Sequence, residues 1–250
     1  MAFNLGSYLV KLRPRSNYLQ LSQGRTVMVM ARDGFVHPGT REGLYVHQTR
    51  LISCWEYRIN GSMPLPVALS NVEQHNWLGY YIVNAPGVPA GPTDEGSGGM
   101  EDSSEQTLEL KIARFAGEGI HEDIDLTNYT LKAIEFDLEI ALDSDFADHI
   151  EADSGRRRQQ GKIKKEWIGE AGASRWEYVV KYHAEHTYSH QDESGHSSID
   201  RSVTIAIYHA DSTPSLKENR LTFRVQLGSG RSWHACIDLL ANIDGQNLPL

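Results

Sequence analysis

The chain has 250 residues, with 33 acidic against 24 basic side chains, a net charge of −9 and a pI of about 5.6. An acidic balance of this size argues against a general role on nucleic acid, whose phosphates would repel it. No stretch approaches the roughly 20 apolar residues that a membrane helix needs. Lys11, Arg13 and Arg15 break up the N-terminal segment before a signal peptide's apolar run can form, so the sequence reads as cytoplasmic.

Tyr18 to Met30 predicts two short strands around a Gln23-Gly24 turn. From Gly43 onward Leu51, Ser53, Trp55, Tyr57 and Ile59 share one face of a strand, with Cys54, Glu56 and Arg58 on the other. Asn60-Gly61 follows at once. Both positions tolerate positive φ, so a hairpin is expected, with Leu65, Val67 and Leu69 on the returning strand. Trp77 to Val83 is a further apolar strand. Residues 84–106 are Pro, Gly, Ser and acid with little to bury, which predicts a mobile loop.

Leu108 to Glu151 reads as an antiparallel meander of three strands. Leu108, Leu110 and Ile112 alternate on the first, and Ile134, Phe136, Leu138 and Ile140 on the third. On the second, Ile120, Ile124 and Leu126 share a face on which Glu122 is the polar exception. The meander ends in an acidic corner, Asp143-Ser144-Asp145-Phe146-Ala147-Asp148. The basic run that follows, Arg156 to Arg158 with Lys162, Lys164 and Lys165, is expected as a solvated hairpin balancing those carboxylates. Trp176, Tyr178, Val180 and Tyr182 mark another strand, and Ser189 to Ser198 a polar loop. Later strands carry Val203, Ile205 and Ile207, then Leu221, Phe223, Val225 and Leu227, then Trp233 to Leu239. No segment holds a helical apolar period over a dozen positions. The expected class is therefore all-β: a large antiparallel sandwich of roughly ten to fourteen strands, with little helix, formed by residues 1–250 as a single domain.

The two cysteines, Cys54 and Cys236, each fall inside an expected strand and read as buried reduced thiols. His183, His186, His190 and His196 lie close in sequence, but strand alternation separates the first two and the last two fall in the polar loop, so no metal site and no cofactor are expected. Asp143, Asp145, Asp148, Glu151 and Asp153 offer the carboxylates that glycoside hydrolysis uses. Acids at strand ends also serve as caps and as partners of arginines, and the sequence does not separate these roles. There is no G-x-S-x-G elbow, and Gly96-Ser97-Gly98-Gly99 lacks the lysine of a phosphate loop. Trp55, Trp77, Trp176 and Trp233 present a choice between sugar-stacking planes and core.

Two segments resemble a known family. Gly43-Leu44-Tyr45-Val46-His47-Gln48-Thr49-Arg50-Leu51-Ile52-Ser53, closing on Asn60-Gly61, resembles the first signature of the N-terminal domain of bacterial glycogen debranching enzymes. Arg114-Phe115, Gly119-Ile120-His121-Glu122, Leu126-Thr127-Asn128-Tyr129 and Asp145-Phe146-Ala147-Asp148 are similar to the second. Gln48 stands where the family commonly has Asp, and the tail after Asp148 departs from the pattern. The resemblance implies a β-supersandwich of the galactose-mutarotase type. It also implies a following helical (α/α)6 barrel that holds the catalytic carboxylates of an amylo-α-1,6-glucosidase, and this chain stops before any such barrel. The expectation is a non-catalytic domain that packs on such a barrel, in cis or in trans, and shapes its α-glucan cleft. It has no nucleic-acid or membrane partner and no catalytic residue. Thr49, Arg50, Asn128, Asp145 and Asp148 are the residues expected to bind substrate or to lock the domain corner. Two rivals are a stand-alone carbohydrate-binding module and a sugar epimerase of the mutarotase type working through His121 and Glu122.

Overall fold

The computed structural model describes residues 17–84, 107–157, 160–170, 172–190 and 193–250. Its strands in chain order are β1 (Leu19–Gln23), β2 (Thr26–Met30), β3 (Gly43–Val46), β4 (Thr49–Ile52), β5 (Cys54–Ile59), β6 (Leu65–Glu73), β7 (Asn76–Asn84), β8 (Thr107–Ala116), β9 (Ile120–Asn128) and β10 (Ile134–Asp143). A short helix, α1 (His149–Ser154), follows. The remaining strands are β11 (Lys162–Ile168), β12 (Arg175–His190), β13 (Glu193–Tyr208), β14 (Pro214–Lys217), β15 (Arg220–Leu227), β16 (Ser232–Ile243) and β17 (Gln246–Asn247). The loop expected at 84–106 lies, from residue 85 onward, outside the described residues.

The strands form one nine-stranded sheet, ordered β11-β12-β13-β16-β9-β8-β7-β6 with β17 beside β16, and two four-stranded sheets, β1-β2-β3-β4 and β14-β15-β10-β5. Every pairing is antiparallel. The all-β antiparallel class expected from the alternation is what is found.

Both small sheets cover the same face of the large one. Trp55 and Tyr57 of β5 reach Glu122 on β9. Phe223 of β15 meets Trp233 of β16 edge-on at 5.1 Å between ring centres. Met30 of β2 touches Arg114 on β8. The result is one continuous hydrophobic core. Strand β9 shows how it is built: its residues alternate strictly between buried and half-buried, with Ile120, Glu122, Ile124 and Leu126 turned inward. Trp55, Trp77, Trp176 and Trp233 are all at most 6% exposed. They are core residues, each stabilising the fold by about 2–3 kcal/mol of burial, and they offer no plane to a sugar.

The expected meander is corrected at its third strand. β8 and β9 are neighbours in the large sheet, but β10 crosses to a small one and pairs with β15 and β5. Alternation tells which face of a strand is buried, and it says nothing about which sheet the strand joins. The hairpin at Asn60-Gly61 is corrected in the same way. The turn itself forms, with φ of 47° and 80° and a bridge from Ile59 to Ser62. Beyond it the strands part, β5 to β10 and β6 to β7. Pro64 and Pro66 bring no N–H to a ladder, so the return segment suits an edge, and β6 is an edge strand of the large sheet. The polar loop expected at 189–198 is largely strand: β12 runs to His190 and β13 starts at Glu193, while residues 191–192 lie outside the described residues. Lys162, Lys164 and Lys165 lie exposed on the opposite edge strand, β11, where their charge guards the edge. Lys165 Nζ reaches Asp143 at 3.1 Å. Arg158 falls outside the described residues.

Candidate functional site

The two motif segments meet at a corner beside the first small sheet. β3 and β4 are joined by His47-Gln48, both at positive φ (47° and 67°), which is a tight primed hairpin turn. Thr49, the next residue, bridges to Asp148, and the Arg50 backbone N–H donates to Ala147 O at 2.7 Å. The Arg50 guanidinium then grips Asp145 twice, Nε to Oδ1 at 3.0 Å and Nη2 to Oδ2 at 2.5 Å. Its Nη1 donates to the carbonyls of Thr40 and Glu42 at 2.6 and 3.2 Å. Burial works against the Arg50 charge, but the forked contact with Asp145 outweighs it and raises its pKa. Gly43 makes room for this arrangement: its φ is 155°, and a Cβ there would lie 2.6 Å from both Arg50 Cδ and Ile52 O.

The acidic segment is bent to fit. Phe146 takes a left-handed φ of 53°, held by burial and by stacking on Tyr182 at 5.2 Å. Asp145 Oδ1 also accepts from the Ala147 N–H at 3.2 Å. Asp148 is the N-cap of α1, accepting from Glu151 N at 2.7 Å while the Glu151 side chain accepts from Asp148 N at 3.2 Å, a capping box. Asn128 stands apart, at the crossover from β9 to β10. Its Nδ2 donates to the carbonyls of Lys132, Leu227 and Gly228, and its Oδ1 accepts from Thr130. Thus Thr49, Arg50, Asp145 and Asp148 converge, and Asn128 does not join them.

Beside the corner opens a cleft of about 630 Å³ whose lining includes Tyr18, Arg41, Tyr45, Gln48, His149 and Asp153. Arg41 lies 4.4 Å above the Tyr18 ring and 3.3 Å from Asp153, and the Tyr45 hydroxyl donates to Arg41 O at 2.7 Å. The cleft therefore presents aromatic faces, a guanidinium and an amide.

Two further polar groups lie on the large sheet, on opposite faces. Inside, Arg114 and Glu122 form an ion pair with no exposed side-chain surface. Trp55 Nε1 donates to the Glu122 carboxylate at 3.2 Å, the Tyr57 hydroxyl donates to the same oxygen, and Arg114 lies 4.7 Å over the Trp77 ring. Burial pushes the Glu122 carboxyl up and the Arg114 guanidinium down, and their mutual contact opposes both shifts. Outside, His121, Asp123 and Cys236 gather their donor atoms within 4.8 Å of one another. Burial, then the Asp123 carboxylate, push the Cys236 thiol up to about 12. His121 and Glu122 point to opposite faces and share no site, which removes the pairing on which an epimerase reading rested. The outer cluster is one the sequence reading missed. Its signal is legible as His121-x-Asp123-x-Asp125 facing His234-x-Cys236-x-Asp238, both at the two-residue period of a strand.

A protein-family model described as the N-terminal domain of some glycogen debranching enzymes matches residues 21–238. Among solved structures, the chain is similar to a galactose mutarotase-like protein from Clostridium acetobutylicum, at 6% identity and a TM-score of 0.41, covering 90% of this chain and 95% of that one. No curated protein matches the sequence.

Proposed function

This chain belongs to the family of N-terminal domains of glycogen debranching enzymes, and from that premise we propose that it is a non-catalytic β-sandwich that packs on a helical catalytic barrel, in cis or in trans, and shapes one wall of its α-glucan cleft. The observation that carries this reading is how the corner's carboxylates are used. Asp145 is held by Arg50 and Asp148 caps a helix, so both fix shape and neither is poised to move a proton. The two motif segments, 95 residues apart, are thereby locked into one rigid rim. The cleft beside that rim carries the ring faces and donors that suit sugar hydroxyls or a partner domain's polar surface. The shared core supports reading residues 1–250 as one domain. Two free thiols fit the proposed cytoplasmic setting, where disulfides rarely persist.

Calorimetric titration of the purified chain with maltooligosaccharides tests this. A wall without a barrel is half a cleft, so no binding heat is expected. Micromolar binding by the chain alone would overturn the reading in favour of an independent carbohydrate-binding module.

A further inference from the structure

The outer face of the nine-stranded sheet, away from the core and from the Arg50–Asp145 corner, carries an arrangement that neither the fold nor the corner requires. β9 and β16 are antiparallel neighbours near the centre of the sheet, and their register sets His121 opposite Asp238, Asp123 opposite Cys236 and Asp125 opposite His234. Six side chains with ligating atoms thus stand in one two-by-three block. Each is half-buried or buried, with His121 28% and Asp123 33% exposed. An ion from solvent can reach them.

Their contacts follow a pattern. His121 Nδ1 lies 2.8 Å from Asp238 Oδ1, and the Tyr208 hydroxyl donates to the same carboxylate oxygen at 2.9 Å. His234 Nδ1 lies 2.8 Å from Asp125 Oδ1. In both rings Nδ1 faces a carboxylate, so that with Nδ1 donating to it each ring presents Nε2 as its metal-binding nitrogen. The two Nε2 atoms point inward along the block: His121 Nε2 is 3.2 Å from Asp123 Oδ1, and His234 Nε2 is 3.2 Å from Cys236 Sγ. Cys236 Sγ is itself 3.2 Å from Asp123 Oδ1. Carboxylates that fix the tautomer and aim of a histidine are the usual outer support of metal-binding histidines. Ligands about 2.0–2.3 Å from a tetrahedral ion stand about 3.3–3.8 Å from one another, so these donors need move only slightly to close on one.

We propose that His121 Nε2, Asp123 Oδ1 and Cys236 Sγ bind a divalent transition ion of the zinc type, with the fourth position beside His234. A nitrogen, an oxygen and a sulfur suit zinc, whereas calcium and magnesium take oxygen alone. Binding releases the Cys236 thiol proton to solvent and replaces the hydrogen bonds that join the three donors. The ion ties β9 to β16 from outside, opposite the buried Arg114–Glu122 pair on the inner face of the same region.

Cobalt(II) titration of the purified chain tests the site, because a cobalt–thiolate bond gives a charge-transfer absorption that no carboxylate or imidazole produces. The expected result is saturation at one equivalent, displacement by zinc, and a rise in Tm with added zinc. Cys236→Ser abolishes the absorption and Cys54→Ser keeps it. His121→Gln, at a half-buried position that tolerates the change, loses tight binding. Asp238→Asn touches no ion and lowers affinity about 10–100-fold through His121, with the circular dichroism of the fold unchanged. No charge-transfer absorption in the wild type, or an absorption that survives Cys236→Ser, overturns the proposal.

Discussion

Glu122 and Arg114 show what a single charge costs inside this sandwich. Arg114 Nε pairs with the Glu122 carboxylate, whose bonds Tyr57 and Trp55 complete, while Arg114 Nη1 donates to Gly34 O and its Nη2 has no hydrogen-bond partner among the described residues. Removing one partner leaves an uncompensated buried charge, so Glu122→Gln should destabilise by about 3–5 kcal/mol in urea unfolding. The double change Arg114→Met/Glu122→Leu should cost less than either single change, since it leaves no charge behind. Glu122 was legible in the sequence as the polar exception of an apolar face. Arg114 lies on the same alternation after Ile112, but a charge closing an apolar run reads as a strand's exit into water, so its burial was not legible. His37 offers a test by pH. Its ring nitrogens lie 2.7 Å from Glu56 and 2.9 Å from Asp33, and Glu42 adds to the negative field. Burial works against the imidazolium, but these carboxylates outweigh it and raise the pKa from 6.5. The imidazolium is thus favoured by folding. Its contribution is complete below pH 6.5 and is lost as pH rises through the higher folded value. Stability measured against pH should lose this component in His37→Gln.

Among the elements, turns and crossovers decided where the strands went. The His47-Gln48 turn carries positive φ at both positions without Asn or Gly, the residues by which such turns are recognised, so it could not be read. A left-handed conformation costs a non-glycine residue about 1–2 kcal/mol. Gln48→Gly should therefore raise the unfolding free energy by about 1 kcal/mol, seen as a higher urea midpoint. Asn60-Gly61 was read correctly as a turn and wrongly as a hairpin, because local chemistry fixes two residues and the prolines beyond it direct the chain to an edge. The crossover after Asn128 has the same lesson. An asparagine whose five hydrogen bonds tie its own loop to the end of β15 leaves no periodic mark in sequence.

For the whole molecule, the class of fold was legible because period-two alternation recurs along most of the chain. The division into one broad and two narrow sheets was not, since it depends on pairings between strands far apart, such as β5 with β10 and β13 with β16. The motif corner was legible through resemblance, and its chemistry only through geometry: Arg50 holds Asp145, and Asp148 bridges to Thr49 and caps α1. The tryptophans that invited a sugar-binding reading are inside. The cleft beside the corner and the His121–Asp123–Cys236 block on the outer face of the large sheet are two separate surface features with separate tests.

In the proposed function this domain shapes a glucan cleft without catalysing. Glucose release from an α-1,6-branched glucan, measured with the chain alone, with a helical catalytic barrel of the family alone and with the two joined, tests this role. The chain alone should release nothing, and the joined protein should act at a lower KM than the barrel. Arg41→Glu in the cleft should raise that KM while kcat holds. Hydrolysis by the chain alone, or a barrel equally active without it, would rule this role out.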